Sequence, residues 1–255
     1  MAKKAEIPSL GLFAGSVLLL SGGWLMPSFP ILIFFGIAPL FALADRVTPS
    51  SPAWEKMEWI LLAMTISFFA STAFHPGSLV ASMVYGILLT LSFLAHAWVV
   101  RVHGPRAGKI TIVLFWLAIE YGLLKVRPDT SIYLADALRL QMTWTGWNSY
   151  TGYLGASCWI LVVNAMWYQT FLAKSDFQWT WLVAAVTLLV GPIIYSHFLD
   201  AVAVSRLDMV SLYADKTIFE DVTYLAQGEW VVRTATWLSI LILLYTTVRS
   251  KTKKR

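Results

Sequence analysis

Trp144 to Phe171, WTGWNSYTGYLGASCWILVVNAMWYQTF, is the stretch on which the fold turns. An approach rich in aromatic residues and glycine passes into an apolar run of membrane length that carries an amide, Asn164, near its middle. Trp144, Trp147, Tyr150 and Tyr153 have apolar rings with polar tips, a combination suited to the lipid headgroup level. Gly152 and Gly155 allow close backbone packing where a helix begins. The pattern predicts a segment that enters a bilayer from one side.

The whole chain has the same character. Of its 255 residues, 58% are hydrophobic and 13% charged, with a mean hydropathy of +0.68. An average soluble domain is about 45–50% apolar and about 25% charged. The composition is that of an integral membrane protein, and 14 Phe, 10 Tyr and 13 Trp are enough for aromatic belts at both membrane faces. The formal charge of +5 is therefore no nucleic-acid signal, and no nucleic-acid partner is expected. The one cysteine, Cys158, lies in an apolar run and excludes an intrachain disulfide or a cysteine metal cluster; it reads as a small buried hydrophobe.

A spanning helix takes about 20 mostly apolar residues, and eight segments qualify: 9–26, 30–45, 57–74, 78–100, 108–125, 154–173, 178–198 and 230–248. The expected fold class is an all-α polytopic bundle of about eight transmembrane helices forming one membrane domain over 1–255. Pro27, Pro30, Pro49, Pro52, Pro76 and Pro105 fall between segments, where helix breaking is harmless, whereas Pro39 and Pro192 fall inside and predict kinks. The basic, apolar N-terminus has the flavour of a signal peptide, but its run continues through Gly22, Gly23 and Trp24 into a second apolar segment, as a retained hairpin would. With the N-terminus in the cytoplasm, 13 of the 19 Lys and Arg fall inside; Lys125, Arg127, Arg139, Arg206, Lys216 and Arg233 fall outside. Both basic tails then share one side, which requires an even number of spans.

Two extracytoplasmic stretches exceed turn length. The first, 126–153, includes Ile132 to Trp147, amphipathic enough to lie on or dip into the outer leaflet. The second, 199–229, is polar and acidic, with Asp200, Asp208, Asp215, Glu220, Asp221 and Glu229, and is too short for a catalytic domain. The chain shows no internal repeat of the kind many transporters carry.

Ionisable residues within spans are costly and mark candidate sites. Glu120, in WLAIEYGLLK, lies near the outer end of span five. It either lines a cavity open to the outer leaflet or snorkels towards Lys125 or Arg127. With Trp144, Trp147, Tyr150 and Asn164 it makes the candidate set for a cavity or partner contact. His96 reads as a satisfied structural histidine, and His75, His103 and His197 lack metal-ligand spacing, so no metal and no cofactor is expected. Asn164 is expected to hydrogen-bond between helices, a contact worth about 0.6–2 kcal/mol in membranes. Ser157 and Cys158 have no local base, and no catalytic set of nucleophile, base and oxyanion donors can be assembled.

Three blocks carry a family resemblance: LLLSGGWLMPSFPILIFFGIAPLFALAD (18–45), FWLAIEYGLL (115–124) with SYTGYLGASCWILVVNAMWYQTF (149–171), and TYLAQGEWVVRTATWLSILILLYTTVRS (223–250). They cover about half the chain and resemble the opening hairpin, spans five and six, and the last strand and span of apolipoprotein N-acyltransferase. That family moves an acyl chain from phospholipid to the N-terminal cysteine of lipoproteins in the bacterial cytoplasmic membrane. The resemblance implies a lateral, lipid-accessible cavity. The family's nitrilase-like domain, whose Glu, Lys and Cys perform the transfer, sits between spans seven and eight, where this chain has only residues 199–229. Its catalytic residues have no counterparts here, and the pattern looks like an internal loss that leaves the membrane half. The expectation is a scaffold that is not catalytic alone, with membrane lipids as partners and lipoproteins or other membrane subunits beyond them. The alternative is an accessory subunit of a larger membrane complex.

Overall fold

The computed structural model describes residues 7–46, 54–104, 108–173, 177–199, 203–214 and 229–252, with backbone alone at 54–56. The basic tails beyond these residues, Pro49, Pro52, Pro105, Arg106, Lys174, Asp200, and 215–228 with Asp215, Lys216, Glu220, Asp221 and the first part of the third resembling block, lie outside them. Among the described residues the structure is helical, with no strand: α1 Ser9–Leu25, α2 Ile33–Gly36, α3 Ala38–Asp45, α4 Trp54–Ser71, α5 Leu79–His103, α6 Ile110–Val126, α7 Asn148–Thr151, α8 Gly155–Phe171, α9 Trp179–Phe198, α10 Arg206–Ala214 and α11 Trp230–Thr252. Short 3₁₀ turns precede α2 and α5 and occupy Leu134–Leu138 and Met142–Trp144. Three helical stretches are long and apolar enough to cross a membrane: Pro76–His103, Trp179–Phe198 and Trp230–Thr252, of 28, 20 and 23 residues. At 1.5 Å per residue, 20 residues reach about 30 Å, the thickness of a bilayer's hydrocarbon core. Val183, Val186, Val190 and Ile194 on α9, and Trp237, Leu241, Leu244 and Val248 on α11, are exposed, an apolar surface suited to lipid.

The chain forms two compact units, 1–94 with 161–189 and 95–160 with 190–255. In the first unit α1 packs on α2, α3 and α4. The seam is close at Gly36, where an added Cβ would lie 3.0 Å from the backbone nitrogen of Leu20. The Ser16 hydroxyl donates to the Gly36 carbonyl at 2.5 Å across the same seam.

Pro39 does more than kink a helix. Its ring would press on the carbonyl four residues back in a continuous helix. The helix accordingly stops at Gly36 and restarts at Ala38, with Pro39 in the first turn of α3, where its missing N–H costs nothing. The break strands backbone groups, and Asn164 of α8 gathers them. Its Oδ1 accepts the N–H of Ile37 at 2.8 Å and of Ala38 at 2.9 Å, while its Nδ2 donates to the Ile33 carbonyl at 3.0 Å. Asn164 is fully buried, at 0% exposure. It thus hydrogen-bonds between helices, as expected, and does so to backbone groups at a helix interruption. Phe35 packs on Trp167 and Phe41 on Tyr168, and the Tyr168 hydroxyl donates to Asp45, so α8 is joined to α2 and α3 along their length. Pro192 lies inside α9, which remains helical through it.

In the second unit α6 packs along α11. At one end of these helices His103 stacks on Tyr245, and its ring nitrogens meet Thr246 at 3.1 Å and Arg249 at 3.1 Å. His96 is buried against the Thr111 hydroxyl at 2.6 Å, as a satisfied structural histidine would be.

Replacing Asn164 by Leu should strand two buried N–H donors at about 1–3 kcal/mol each. We expect the purified Asn164→Leu protein to lose several degrees in Tm in detergent, and Asn164→Asp, which keeps the acceptor oxygen, to lose less. An Asn164→Leu protein as stable as the parent would remove the amide from this role.

Candidate functional site

Polar chemistry in the second unit gathers where α6 ends, the 126–153 segment turns, and α8 begins. Trp116 and Glu120 are four residues apart and so share one face of α6; the Trp116 indole N–H donates to Glu120 Oε1 at 3.0 Å. The same oxygen accepts the backbone N–H of Leu134 at 2.7 Å. Ser157 Oγ, fully buried at the first turn of α8, accepts the N–H of Ala135 at 3.0 Å and borders the Glu120 carboxyl. Asp136 Oδ2 turns back to accept the N–H of Tyr133 at 2.8 Å. Three consecutive amides at the head of the Leu134–Leu138 turn, which a helix start leaves without intrahelical partners, are therefore received by three side chains. This draws Tyr133 to Leu138 into the interior. Within the stretch Ile132 to Trp147, Tyr133 to Leu138 are buried in the protein, and Arg139, Leu140, Met142 and Thr143 are exposed.

Asp136, 4% exposed, also accepts the Tyr153 hydroxyl at 2.5 Å and the Arg206 guanidinium from the start of α10. Arg206 reaches on to the carbonyls of Ser131 at 2.6 Å and Asp129 at 3.3 Å, and its guanidinium lies 5.7 Å from the centre of the Tyr133 ring. Burial pushes the Asp136 carboxyl above its ordinary value, against the pull of Arg206 and the three donors. Burial, with Asp136 alongside, also raises the phenols of Tyr133 and Tyr153, which keeps both protonated. Arg206 therefore ties the start of the 199–229 segment to the 126–153 segment. Asn148 adds a second tie, exchanging hydrogen bonds with the Val204 backbone at 3.0 and 2.7 Å.

Glu120 is 0% exposed. Its hydrogen bonds run to Trp116 and Leu134, not to Lys125 or Arg127, which is unlike a snorkelling ion pair. Trp144 and Trp147 are half-buried and joined, the Trp147 indole donating to the Trp144 carbonyl at 3.0 Å. Tyr150 is exposed, and its carbonyl accepts the Trp230 indole N–H at 3.2 Å. Tyr153, grouped by sequence with these interfacial aromatics, is buried on Asp136. Asn164 belongs to the first unit. An open cleft of about 390 Å³ is lined by Met142, Thr143, Gly146, Ser196, His197, Leu199 and Ala203, and none of the five candidates lines it. Cys158 is half-buried and unpaired. Among the described residues no three His, Cys, Asp or Glu side chains come together as a metal would need.

Asp136, Arg206, Tyr153 and Ser157 were not legible as a set. The available signal was Asp136 itself, an acid inside the apolar stretch LADAL (134–138), which a buried turn would have to pair. Compared with family models, curated proteins and solved structures, the chain gives no match.

Breaking a buried ion pair by removing one partner costs about 3–5 kcal/mol. The Arg206 side chain is 26% exposed, so Arg206→Leu should fall at or below the lower end of that range. Adding Asp136→Asn to Arg206→Leu should recover part of the loss, a coupling that a double-mutant cycle of thermal unfolding in detergent would read. Additive losses would mean that the two side chains are not an energetic pair.

Proposed function

We propose that this chain is a membrane scaffold, not catalytic alone, built like the transmembrane half of apolipoprotein N-acyltransferase, and that it binds lipid or lipoprotein or assists lipoprotein N-acylation. In this reading the chain crosses the bacterial cytoplasmic membrane eight times with both termini inside, and the 126–153 and 199–229 segments face outward. The observation that carries it is the order of the three resembling blocks around eight apolar segments, with only residues 199–229 between the last two. Further support comes from the polar groups within those blocks. Glu120 and Asn164, the two most conspicuous, are held by backbone amides at 2.7–2.9 Å. Acyl transfer needs an activated nucleophile within reach of a base and donors for the developing oxyanion, and groups fixed in this way serve the packing of a scaffold.

The test is native mass spectrometry of the full chain released from its membrane in mild detergent. Bound phospholipid or lipoprotein supports the scaffold reading, and a stoichiometric protein subunit with neither would replace it with the accessory-subunit reading. The purified protein, incubated with phospholipid and a diacylated lipopeptide, should add no third acyl chain; acylation in a preparation free of other acyltransferases would overturn the non-catalytic part.

For topology, cysteines placed singly at Ser250 and Thr143, after Cys158 is replaced, should differ in intact cells. An impermeant thiol reagent should label the second and spare the first. The reverse pattern would invert the assignment.

A further inference from the structure

Among the described residues of the second unit, six buried side-chain polar atoms have no hydrogen-bond partner, and three of them come together at one cavity: Thr151 Oγ1 at the end of α7, Tyr213 Oη on α10 and Glu229 Oε1 just before α11. Thr151, Tyr213 and Glu229 line one cavity of about 10 Å³, closed on its apolar side by Leu124, Met209 and Val232. Tyr213 and Glu229 are 4% and 3% exposed, so bulk solvent does not satisfy them. A buried polar atom without a partner is rare in folded proteins and costly, and one that persists calls for an unseen ligand or a strained site.

We propose that this cavity is a binding site for a single water molecule. Its size stands at the lower limit for one water, roughly 10–15 Å³. Its chemistry matches as well. The Thr151 and Tyr213 hydroxyls each have a proton to donate, and the Glu229 carboxylate oxygen can only accept. One water would receive the two hydroxyls and donate to Glu229 Oε1, making three hydrogen bonds, the usual number for a buried water. A metal ion fits less well. The other Glu229 oxygen already accepts from Arg233 Nε at 2.9 Å, and the Lys125 ammonium lies 4.8 Å from the centre of the Tyr213 ring. Arg233 thus already pairs with the carboxylate and Lys125 borders the Tyr213 ring, so a further positive charge would be repelled. A dry cavity would leave all three oxygens without a partner, a costly arrangement for buried polar atoms.

The position gives the water a task. Tyr213 and Glu229 bracket residues 214–228, and Thr151 belongs to the turn that leads into α8. Through one molecule, Tyr213 and Glu229 are both tied to Thr151 of the 126–153 segment, independently of the Arg206–Asp136 pair. The inference does not depend on the functional reading above.

Hydroxyl deletions decide between a wet and a dry site by sign. If the water is present, Tyr213→Phe and Thr151→Val each remove one of its bonds and lower the Tm of the full chain in detergent, and the double variant loses less than the sum, because the first deletion already loosens the shared molecule. If the cavity is dry, each change removes an unsatisfied buried hydroxyl, and Tm holds or rises; that result overturns the proposal. Should either variant fail to fold, an experimental structure of the unaltered chain at a resolution that shows waters decides it. One density peak at about 2.7–3.2 Å from all three oxygens, without anomalous signal after exchange into rubidium salt, supports the water. An empty cavity, or a rubidium signal at that place, overturns it.

Discussion

A proline in an apolar helix creates a debt of backbone hydrogen bonds, and the amide of Asn164 meets it. Pro39 supplies no N–H, and the helical hydrogen-bond ladder is interrupted at Ile37, so the N–H groups of Ile37 and Ala38 and the carbonyl of Ile33 turn to a side chain. In a buried interior there is no water to take that place, and each unsatisfied group would cost about 1–3 kcal/mol. The constraint propagates. α8 must present its amide at one depth and rotation, which sets Trp167 against Phe35, and Tyr168 against Phe41 and Asp45. Gly36 can then sit against Leu20 of α1 only because it has no side chain.

The second unit solves the same problem in reverse. There the irregular backbone is the 126–153 segment, and side chains from regular helices come to it. Glu120 from α6, Ser157 from α8 and Asp136 from the turn itself take the amides of Leu134, Ala135 and Tyr133. Both units therefore use buried polar side chains as local substitutes for solvent. An ionisable residue in a helix of this kind invites a catalytic reading by default, and the geometry gives one of Glu120's carboxyl oxygens a structural task, receiving the Trp116 indole and the Leu134 amide. Arg206 extends the arrangement outward by carrying Asp136's charge and capturing two further carbonyls.

Much of the helix pattern was legible. The segments expected at 9–26, 108–125, 154–173 and 178–198 correspond to Ser9–Leu25, Ile110–Val126, Gly155–Phe171 and Trp179–Phe198, because apolar length and the flanking Gly, Pro and charged residues report directly on local helix formation. The segment expected at 57–74 instead ends at Ser71, as Ala73 and Phe74 take left-handed backbone at φ 51° and 57°. Nothing in an alanine and a phenylalanine announces that conformation. Pro39 was legible as a disturbance but not as a break, since whether a helix bends or stops depends on a partner 126 residues away.

By itself the sequence determined that this chain is helical and apolar on a scale suited to a membrane, and that Glu120 and Asn164 are its conspicuous polar intrusions. Those are properties of composition and period, readable without knowing which residues meet. Only the tertiary structure decided what the intrusions do: that Asn164 closes a broken helix, that Glu120 receives a buried turn, and that Asp136, Tyr153 and Arg206 form one cluster. The physical reason is that a hydrogen bond in a low-dielectric interior depends on geometry set by distant parts of the chain. Tyr153 illustrates it. Sequence made it one more interfacial ring beside Tyr150, and three residues of backbone separate an exposed phenol from one buried on a carboxylate.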